Sequence, residues 1–204
     1  LHQWGIDNTD PRSTSHGLIT GRKIAYQFSQ ALRKYLPDAF GESYLVATAA
    51  LLGVRETRRI AGDYVLNTDD YKSCRSFEDE ITRTCNHIDI HPAASEMPEA
   101  LRNRKEPTDR FDLKEGTSCG VPYRCLTPRG IENVLVAGRC ISTDRTVHGS
   151  TRVMPECLNT GEAAGLAAAM AAGTNTADVH AVDTDALRRQ LKNHGAYLPE
   201  IETV

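Results

Sequence analysis

The spacing of apolar residues predicts two helices near the start of the chain. In residues 22–36 apolar side chains recur every three or four positions, which is the period of an amphipathic helix, and Pro37 ends the pattern. Residues 43–53 (SYLVATAALLG) are apolar or small and carry no charge. They predict a second helix, buried on all sides and capped at its C-terminus by Gly53.

The middle of the chain predicts short segments separated by polar loops. Residues 54–66 look extended, residues 70–81 contain a short helix, and residues 86–92 form a short strand that Pro92 ends. Residues 93–115 are charged and punctuated by proline, which predicts a loop between two parts of the fold.

Beyond this loop the pattern changes to buried strands and turns. Residues 120–138 (GVPYRCLTPRGIENVLVAG) predict one short strand, a Pro-Arg-Gly turn at 128–130, and a buried strand from Val134 to Ala137.

A helix rich in alanine and glycine is predicted from about Met154 to Ala172. Pro155 suits its first turn, and Ser150 or Thr151 is the expected N-cap. Six small or apolar residues fall on one stripe of this helix: Met154, Leu158, Gly161, Gly165, Ala168 and Ala172. Such a stripe is typical of a helix that packs closely against another backbone, as on a parallel sheet.

A last amphipathic helix is predicted within residues 182–195. Asp183 or Thr184 is its expected N-cap, and Gly195 closes it. Leucines at 187 and 191 would face inward.

Composition and charge narrow the class of protein. Of 204 residues, 40% are hydrophobic and 25% charged, with a net charge of −3, which are ordinary values for a soluble globular protein. Nucleic acid is not an expected partner, because no block of Lys and Arg occurs. The longest run of small apolar residues, 163–173, is too short for a membrane span. Because the chain begins at Leu1 without a leader, we interpret it as a fragment or processed product, cytoplasmic or exported.

The cysteines and histidines do not favour a metal site. The six cysteines contain no C-x-x-C pair, so we expect scattered thiols, with a few disulfides left open. In HIDIH, His87, Asp89 and His91 would share one strand face, but three ligands on one short strand are unusual geometry for iron or zinc. We predict no metal here, and instead a polar strand face or a histidine that reaches substrate.

Several separated motifs resemble the C-terminal half of the FAD-dependent oxidoreductase family, whose members share a GVRE(T/S)RRI segment and an NLLVAGR…GQAAG signature. Five segments carry the resemblance, in order: LGVRETRRIAGDYVL, IDIH, VPYRCLTPRGIENVLVAGRCIS, GSTRVMPEC and TGEAAGLAAAMA. The resemblance implies an α/β fold, part of a two-domain flavoprotein with FAD as cofactor. This chain would hold the C-terminal part of a Rossmann-like FAD-binding domain and part of an α+β substrate domain.

The resemblance also implies a division of the chain. Residues 1–115 would belong to the substrate-side domain, 116–175 to the returning segment of the FAD-binding domain, and 176–204 to a terminal helix and tail. No G-x-G-x-x-G occurs, so the half that would hold the adenosine and pyrophosphate is expected as a missing N-terminal partner. The implied activity is hydride transfer between a small organic substrate and flavin.

By similarity, eight residues are expected to bind the cofactor: Ala137, Gly138, Arg139, Ser142, Ser150, Arg152, Val153 and Met154. The first three would lie along the ribityl–pyrophosphate portion. The backbone N–H groups of the last three, at the helix start, would face the pyrimidine edge of the flavin, where a helix N-terminus stabilises negative charge.

Three residues are catalytic candidates: Arg58, His148 and Arg152. Arg58 lies in an arginine cluster that would clamp a substrate carboxylate or simply pair with Glu56. His148 precedes the expected flavin-facing turn, as an acid/base or as a histidine that bonds a backbone carbonyl.

Two other functions are compatible with parts of the sequence. GTSCG at 116–120 fits the G-x-S-x-G of serine hydrolases, with Asp144 and His148 downstream of Ser118. However, the preceding segment is polar, and Pro122 blocks the helix that should follow. The second alternative is a non-enzymatic fragment that only packs with a partner.

Overall fold

The computed structural model describes residues 3, 5–90 and 112–199, which fall into two compact units. One unit comprises the described residues up to Thr57, and the other comprises residues 58–90 and 112–199. His91 and most of the predicted 93–115 loop lie outside the described residues. The assignment of 58–90 to the substrate side stays a prediction, although these residues share a unit with 112–199.

The first unit is built around helix α1, Pro11–Tyr35, which is followed by the one-turn helix α2, Pro37–Phe40. Asp10 caps α1, because its side chain accepts hydrogen bonds from the N–H groups of Arg12 and Ser13. The helix predicted over 22–36 is thus the second part of a longer helix, and it ends before Pro37 as expected.

The buried helix predicted over 43–53, with Gly53 as its cap, is wrong. These residues form no helix, and Tyr44, Val46 and Leu51 are 78%, 83% and 79% exposed. A helix that is apolar all round needs cover on every side. The described residues of the first unit do not supply it, since α1 itself buries only Gly17.

The second unit contains a two-stranded antiparallel sheet, made of β1, Glu80–Thr84, and β2, Cys119–Pro122. Strand β2 confirms the strand predicted at 120. The strand predicted over 86–92 is wrong in its described part, because residues 86–90 follow β1 without strand pairing. Residues 54–66 contribute only isolated bridges, Gly62 with Pro128 and Leu66 with Thr143.

The described residues of this unit form four α-helices: α3, Thr68–Lys72; α4, Arg145–Thr151; α5, Met154–Ala172; and α6, Thr184–Asn193. The bounds of α5 are those predicted. Helix α6 is also confirmed, with Asp183 accepting from the Ala186 N–H at 2.9 Å, and with Leu187 and Leu191 buried. Gly195, at φ +98°, follows its end.

Helices α5 and α6 pack on β1, and the buried face of α5 differs from the predicted stripe. Its buried residues are Glu156, Thr160, Ala163, Ala167 and Ala171. Met154 and Leu158, on the predicted stripe, are 71% and 73% exposed. Among the described residues, no atom lies within 4 Å of a β-carbon added at Gly161 or Gly165. No backbone of the described chain therefore explains these two glycines.

The buried strand predicted from Val134 to Ala137 is wrong. These residues are half-buried or exposed, and Val136 is held by a single N–H bond to the Leu126 carbonyl at 2.9 Å. A strand in a sheet needs neighbours on its edges, and the described residues place none there. The turn before it is confirmed, with Gly130 at φ +76°. The described helices include none with the length and hydropathy for crossing a membrane.

Candidate functional site

The short helix α4 positions the first part of the candidate site. Its N-cap Asp144 accepts from the Val147 N–H at 2.7 Å, and its other oxygen accepts from the N–H and hydroxyl of Thr68 at 2.7 and 2.8 Å. These bonds and the complete burial of Val147 explain how seven residues, most of them of low helix propensity, form a helix. The sequence did not predict α4. Ser150 and Thr151 belong to it, so neither caps α5.

Two residues, Arg152 and Val153, join α4 to α5. Arg152 closes α4, and its N–H donates to the His148 carbonyl at 3.1 Å. The structure therefore differs from the expectation that this amide faces a ligand. Val153 is the N-cap of α5, and no side chain caps the helix there, since an aliphatic group cannot accept a hydrogen bond. The start of this 19-residue helix, at Met154, thus presents backbone donors and partial positive charge.

A tight turn at Gly138–Cys140 packs beside the start of α5. Gly138 has φ +73°, and its N–H donates to Thr160 Oγ1 at 3.0 Å. A β-carbon at Gly138 would touch only Cys157, at 4.0 Å, among the described atoms. Arg139 Nε donates to the Arg152 carbonyl at 3.1 Å. The predicted residues Ala137, Gly138 and Arg139 therefore lie next to the predicted helix start.

His148 ties the two parts together. Its ring is fully buried, and Nε2 lies 2.9 Å from the Arg139 carbonyl oxygen. A carbonyl oxygen only accepts, so Nε2 carries a hydrogen. Of the two roles considered for His148, this contact matches the histidine that bonds a backbone carbonyl.

The Arg152 side chain contacts the segment that follows β1. It is 7% exposed, and its guanidinium donates to the Asp89 carbonyl. Gly149 permits this approach, because a β-carbon there would lie 3.1 Å from the Asp89 nitrogen. Arg152 therefore fastens residues 86–90 to the junction of the two helices.

Three predicted site residues remain: Ser142, Ser150 and Arg58. The buried Ser142 hydroxyl accepts from the Gly62 N–H at 3.1 Å. The buried Ser150 hydroxyl donates to the Asn86 carbonyl at 2.7 Å. Arg58 is exposed, two residues before Ile60, whose N–H donates to the Cys140 carbonyl at 3.0 Å. Both serines have internal partners, and Arg58 lies in the segment that Ile60 bonds to the turn.

Sequence reasoning missed the buried polar residues under the helix start. Glu156, in the first turn of α5, accepts from Asn86 Nδ2 at 2.6 Å. Thr160 holds the Gly138 N–H and donates to the Glu156 carbonyl at 2.8 Å. A glutamate and a threonine on the inner face of an otherwise small apolar helix are a signal in the sequence, but nothing there marks Asn86.

The geometry does not support the hydrolase alternative. Ser118 precedes β2, and its hydroxyl accepts from Arg83 Nε at 2.8 Å. Asp144 caps α4, and His148 bonds Arg139, so neither residue is arranged as a partner of Ser118. Within 5–90 and 112–199, no group of three His, Cys, Asp or Glu side chains is placed to hold a metal ion.

An uncapped helix start beside an open glycine turn suits a ligand that bears negative charge. The family model described as FAD dependent oxidoreductase matches residues 2–191, nearly the whole chain. This chain belongs to the FAD-dependent oxidoreductase family. Neither the curated proteins nor the solved structures contain a match.

The cofactor of this family is FAD. The space beside Gly138 and the backbone donors at Met154 suit the close approach of a flat, electron-rich ring. The sequence has no G-x-G-x-x-G, so the usual pyrophosphate cradle is not among these residues.

Proposed function

We propose that the protein transfers hydride between a small organic substrate and FAD, and that the start of α5 and the Gly138 turn form the wall beside the flavin. The single observation that carries this proposal is the adjacency of the two features, fixed by the Gly138–Thr160 bond and the Arg139–Arg152 bond. FAD, when bound, supplies the hydride-accepting ring.

The chain's own contribution is electrostatic. The backbone N–H groups of Val153 and Met154 stand at the positive end of α5, where they would stabilise negative charge on the ring. The Arg152 amide is not part of this set, because it is used inside α4. The support for Arg152 is that of a positioning residue that holds the 86–90 segment.

The other candidate residues also receive roles in this proposal. His148 holds the Arg139 carbonyl and so positions the turn rather than moving a proton. Arg58 keeps its proposed role as a clamp for a substrate carboxylate, supported by its exposure and by the Ile60–Cys140 bond that holds its segment to the turn. Ala137, Ser142 and Ser150 complete the proposed cofactor-binding set, the serines through the backbone that they fix.

We also infer the architecture of the complete flavoprotein. Residues 116–175 would return to a Rossmann-like FAD-binding domain, 1–115 would serve the substrate side, and 176–204 would form the terminal helix and tail. An N-terminal half with G-x-G-x-x-G would be the partner. The exposed stripe of α5 and the half-exposed residues 134–137 support this inference, because both are apolar surfaces suited to a neighbouring element.

The proposal is tested by giving α5 a cap of its own. Val153→Asp would accept the first helix amides and add a negative charge there, so it should raise the free energy of unfolding by about 1 kcal/mol. In the full-length protein supplied with FAD it should also weaken FAD binding about tenfold and lower the flavin midpoint potential.

Val153→Asn is the matched control, since it caps the helix without adding charge, and its potential should shift less. Flavin absorbance per protein and thermal unfolding are the measurements. If Val153→Asp stabilises the helix while FAD affinity and potential stay unchanged, the flavin does not lie at this helix start.

A further inference from the structure

A buried carboxyl group lies directly behind the start of α5. Glu156 is 4% exposed and faces the chain that follows β1. Its Oε1 accepts from Asn86 Nδ2 at 2.6 Å, and its Oε2 has no hydrogen-bond partner within the described part of the chain. An ionised carboxylate offers about four acceptor sites, and leaving them unfilled in a buried place is costly.

No positive charge of the described residues compensates this group. Burial raises the pKa of Glu156, and the lowering by the hydrogen bonds from its own N–H and from Asn86 does not cancel that rise. The titratable neighbours are the Cys157 thiol and, across the Asn86 carbonyl, the Tyr71 hydroxyl. Burial raises the pKa of both, so both are neutral.

The charged groups of the adjoining segments are directed elsewhere. Arg152 binds the Asp89 carbonyl, and Arg83 binds Glu80 and Ser118. His87 and Asp89 belong to the segment that carries Asn86, and neither contributes to the pKa of Glu156.

The hydroxyl groups of Ser150 and Thr84 each have one proton, and the bonds that use these protons determine what Thr84 can offer to Glu156. The Asn86 carbonyl only accepts, so the Ser150 hydroxyl donates its single proton to it, at 2.7 Å. Thr84 Oγ1 lies 2.8 Å from Ser150 Oγ, and because the Ser150 proton is used, Thr84 must be the donor. The Thr84 oxygen beside the Glu156 carboxyl therefore offers a lone pair and no proton.

We propose that Glu156 is a neutral carboxylic acid at neutral pH, with its proton on Oε2 directed to the Thr84 oxygen, and that it is a positioning residue which keeps the positive start of α5 free of a carboxylate. The second half of this statement rests on the proposed flavin site. An ionised Glu156 in the first turn would offset the partial positive charge that Val153 and Met154 present. The protonated form leaves that charge for the ligand.

The protonation state is tested on the full chain without cofactor. The side-chain carboxyl carbon of Glu156, assigned in ¹³C NMR by its loss in Glu156→Gln, should show the protonated form at pH 7 and titrate above the ordinary value of 4.5. A midpoint below pH 7, with the ionised form at pH 7, overturns the proposal.

A stability comparison gives a second readout. The amide of Glu156→Gln can donate to Thr84 and accept from Asn86, so the variant should match the wild type at pH 4 and be more stable at pH 8. The unfolding equilibrium constant should differ about tenfold for each unit by which the folded pKa is raised. Glu132→Gln, on an exposed turn, is the control and should show no such step. Equal destabilisation of Glu156→Gln at both pH values overturns the proposal.

A measurement on the FAD-loaded protein distinguishes failure of this inference from failure of the proposed function. In the FAD-loaded full-length protein at pH 7, Glu156→Gln replaces one neutral group by another, so the flavin midpoint potential should not change. A rise in potential shows that an ionised carboxylate was removed and overturns the inference. Failure to bind FAD contradicts the proposed function instead, while the cofactor-free titration still decides the state of Glu156.

Discussion

Two glycines of the second unit occupy opposite surroundings. Gly120, in β2, lies against the buried Glu80 carboxylate, which Arg83 holds through both oxygens at 2.9 and 2.8 Å. A β-carbon at Gly120 would collide with Glu80 Oε2. Gly161, in α5, has no described atom within 4 Å of the same added carbon. The sequence shows the same letter at both places, and only packing distinguishes them.

The same substitution should therefore have opposite effects at these two positions. Gly120→Ala displaces Glu80 from Arg83 and should lower the free energy of unfolding by about 1–3 kcal/mol. Gly161→Ala removes a flexible residue from a helix interior and should raise it by up to about 1 kcal/mol. Urea unfolding of the two variants and the wild type measures both changes. Destabilisation by Gly161→Ala would mean that the stripe of α5 is covered in this chain.

His180 shows a different effect of local surroundings, because both ring nitrogens face acceptors. Nδ1 lies 2.7 Å from the Asp63 carboxylate and Nε2 lies 3.1 Å from the Ile131 carbonyl oxygen. Both bonds form together only if the ring carries two protons. Burial opposes the charge, but the bonds to Ile131 and Asp63 outweigh it and raise the pKa of His180 above 6.5.

From the contact between His180 and Asp63 we predict a loss of stability at alkaline pH. Because folding raises the pKa of His180, the contact adds to the free energy of unfolding. This contribution is complete below pH 6.5 and is lost as the pH rises through the pKa of His180 in the folded protein. Because the side chains are 29% and 33% exposed, the change should be at most about 1 kcal/mol. Thermal unfolding of His180→Gln should remove the decline between pH 6 and 9. His194→Gln, a more exposed histidine beside Glu162, is the control, and an equal effect there would contradict the prediction.

At the scale of elements, the sequence predicted helices that carry their own signals. Helix α5 has Pro155 in its first turn and α6 has Asp183 as cap with two inward leucines, so local rules suffice. The uncharged run 43–53 was mistaken for a buried helix because hydropathy alone does not show whether cover exists. The strand predicted over 134–137 is wrong for the same reason, since hydropathy does not show whether neighbouring strands exist. Helix α4 was missed because part of its support is the contact of its cap with Thr68, 76 residues earlier in the chain.

Replacement of Asp144, the N-cap of α4, tests whether its contact with Thr68 stabilises the helix. Asp144→Ala loses the bond to Val147 and leaves the Thr68 N–H and hydroxyl without their acceptor, so it should cost about 2–4 kcal/mol. Asp183→Ala removes an exposed cap with one bond, to Ala186, and should cost about 1 kcal/mol. Urea unfolding compares them, and equal losses would show that the contact with Thr68 adds nothing.

At the scale of the whole molecule, the family resemblance predicted a proximity that no residue pattern in the sequence indicates. It brought Ala137–Arg139 and Arg152–Met154 to one place, as the structure does. It did not reveal that Ser142 and Ser150 are buried and internally bonded, or that Glu156 and Asn86 lie behind the helix start. Those contacts join residues 64 to 80 positions apart in the chain, which no local pattern encodes.

The exposed stripe of α5 gives a prediction for the complete flavoprotein. Leu158 is 73% exposed, so Leu158→Lys should change the free energy of unfolding of this chain by less than about 0.5 kcal/mol. If the stripe packs against the proposed G-x-G-x-x-G half, the same change places a charge in that interface. The complete protein should then retain less FAD.

Leu158→Met keeps the site apolar and should retain FAD like the wild type, which separates charge from mere alteration. Flavin absorbance per protein after gel filtration measures retention, and urea unfolding of this chain measures its own stability. Normal FAD retention by Leu158→Lys would show that the stripe faces solvent in the complete protein. A large loss of stability in this chain alone would instead place Leu158 in its own core, contrary to its exposure.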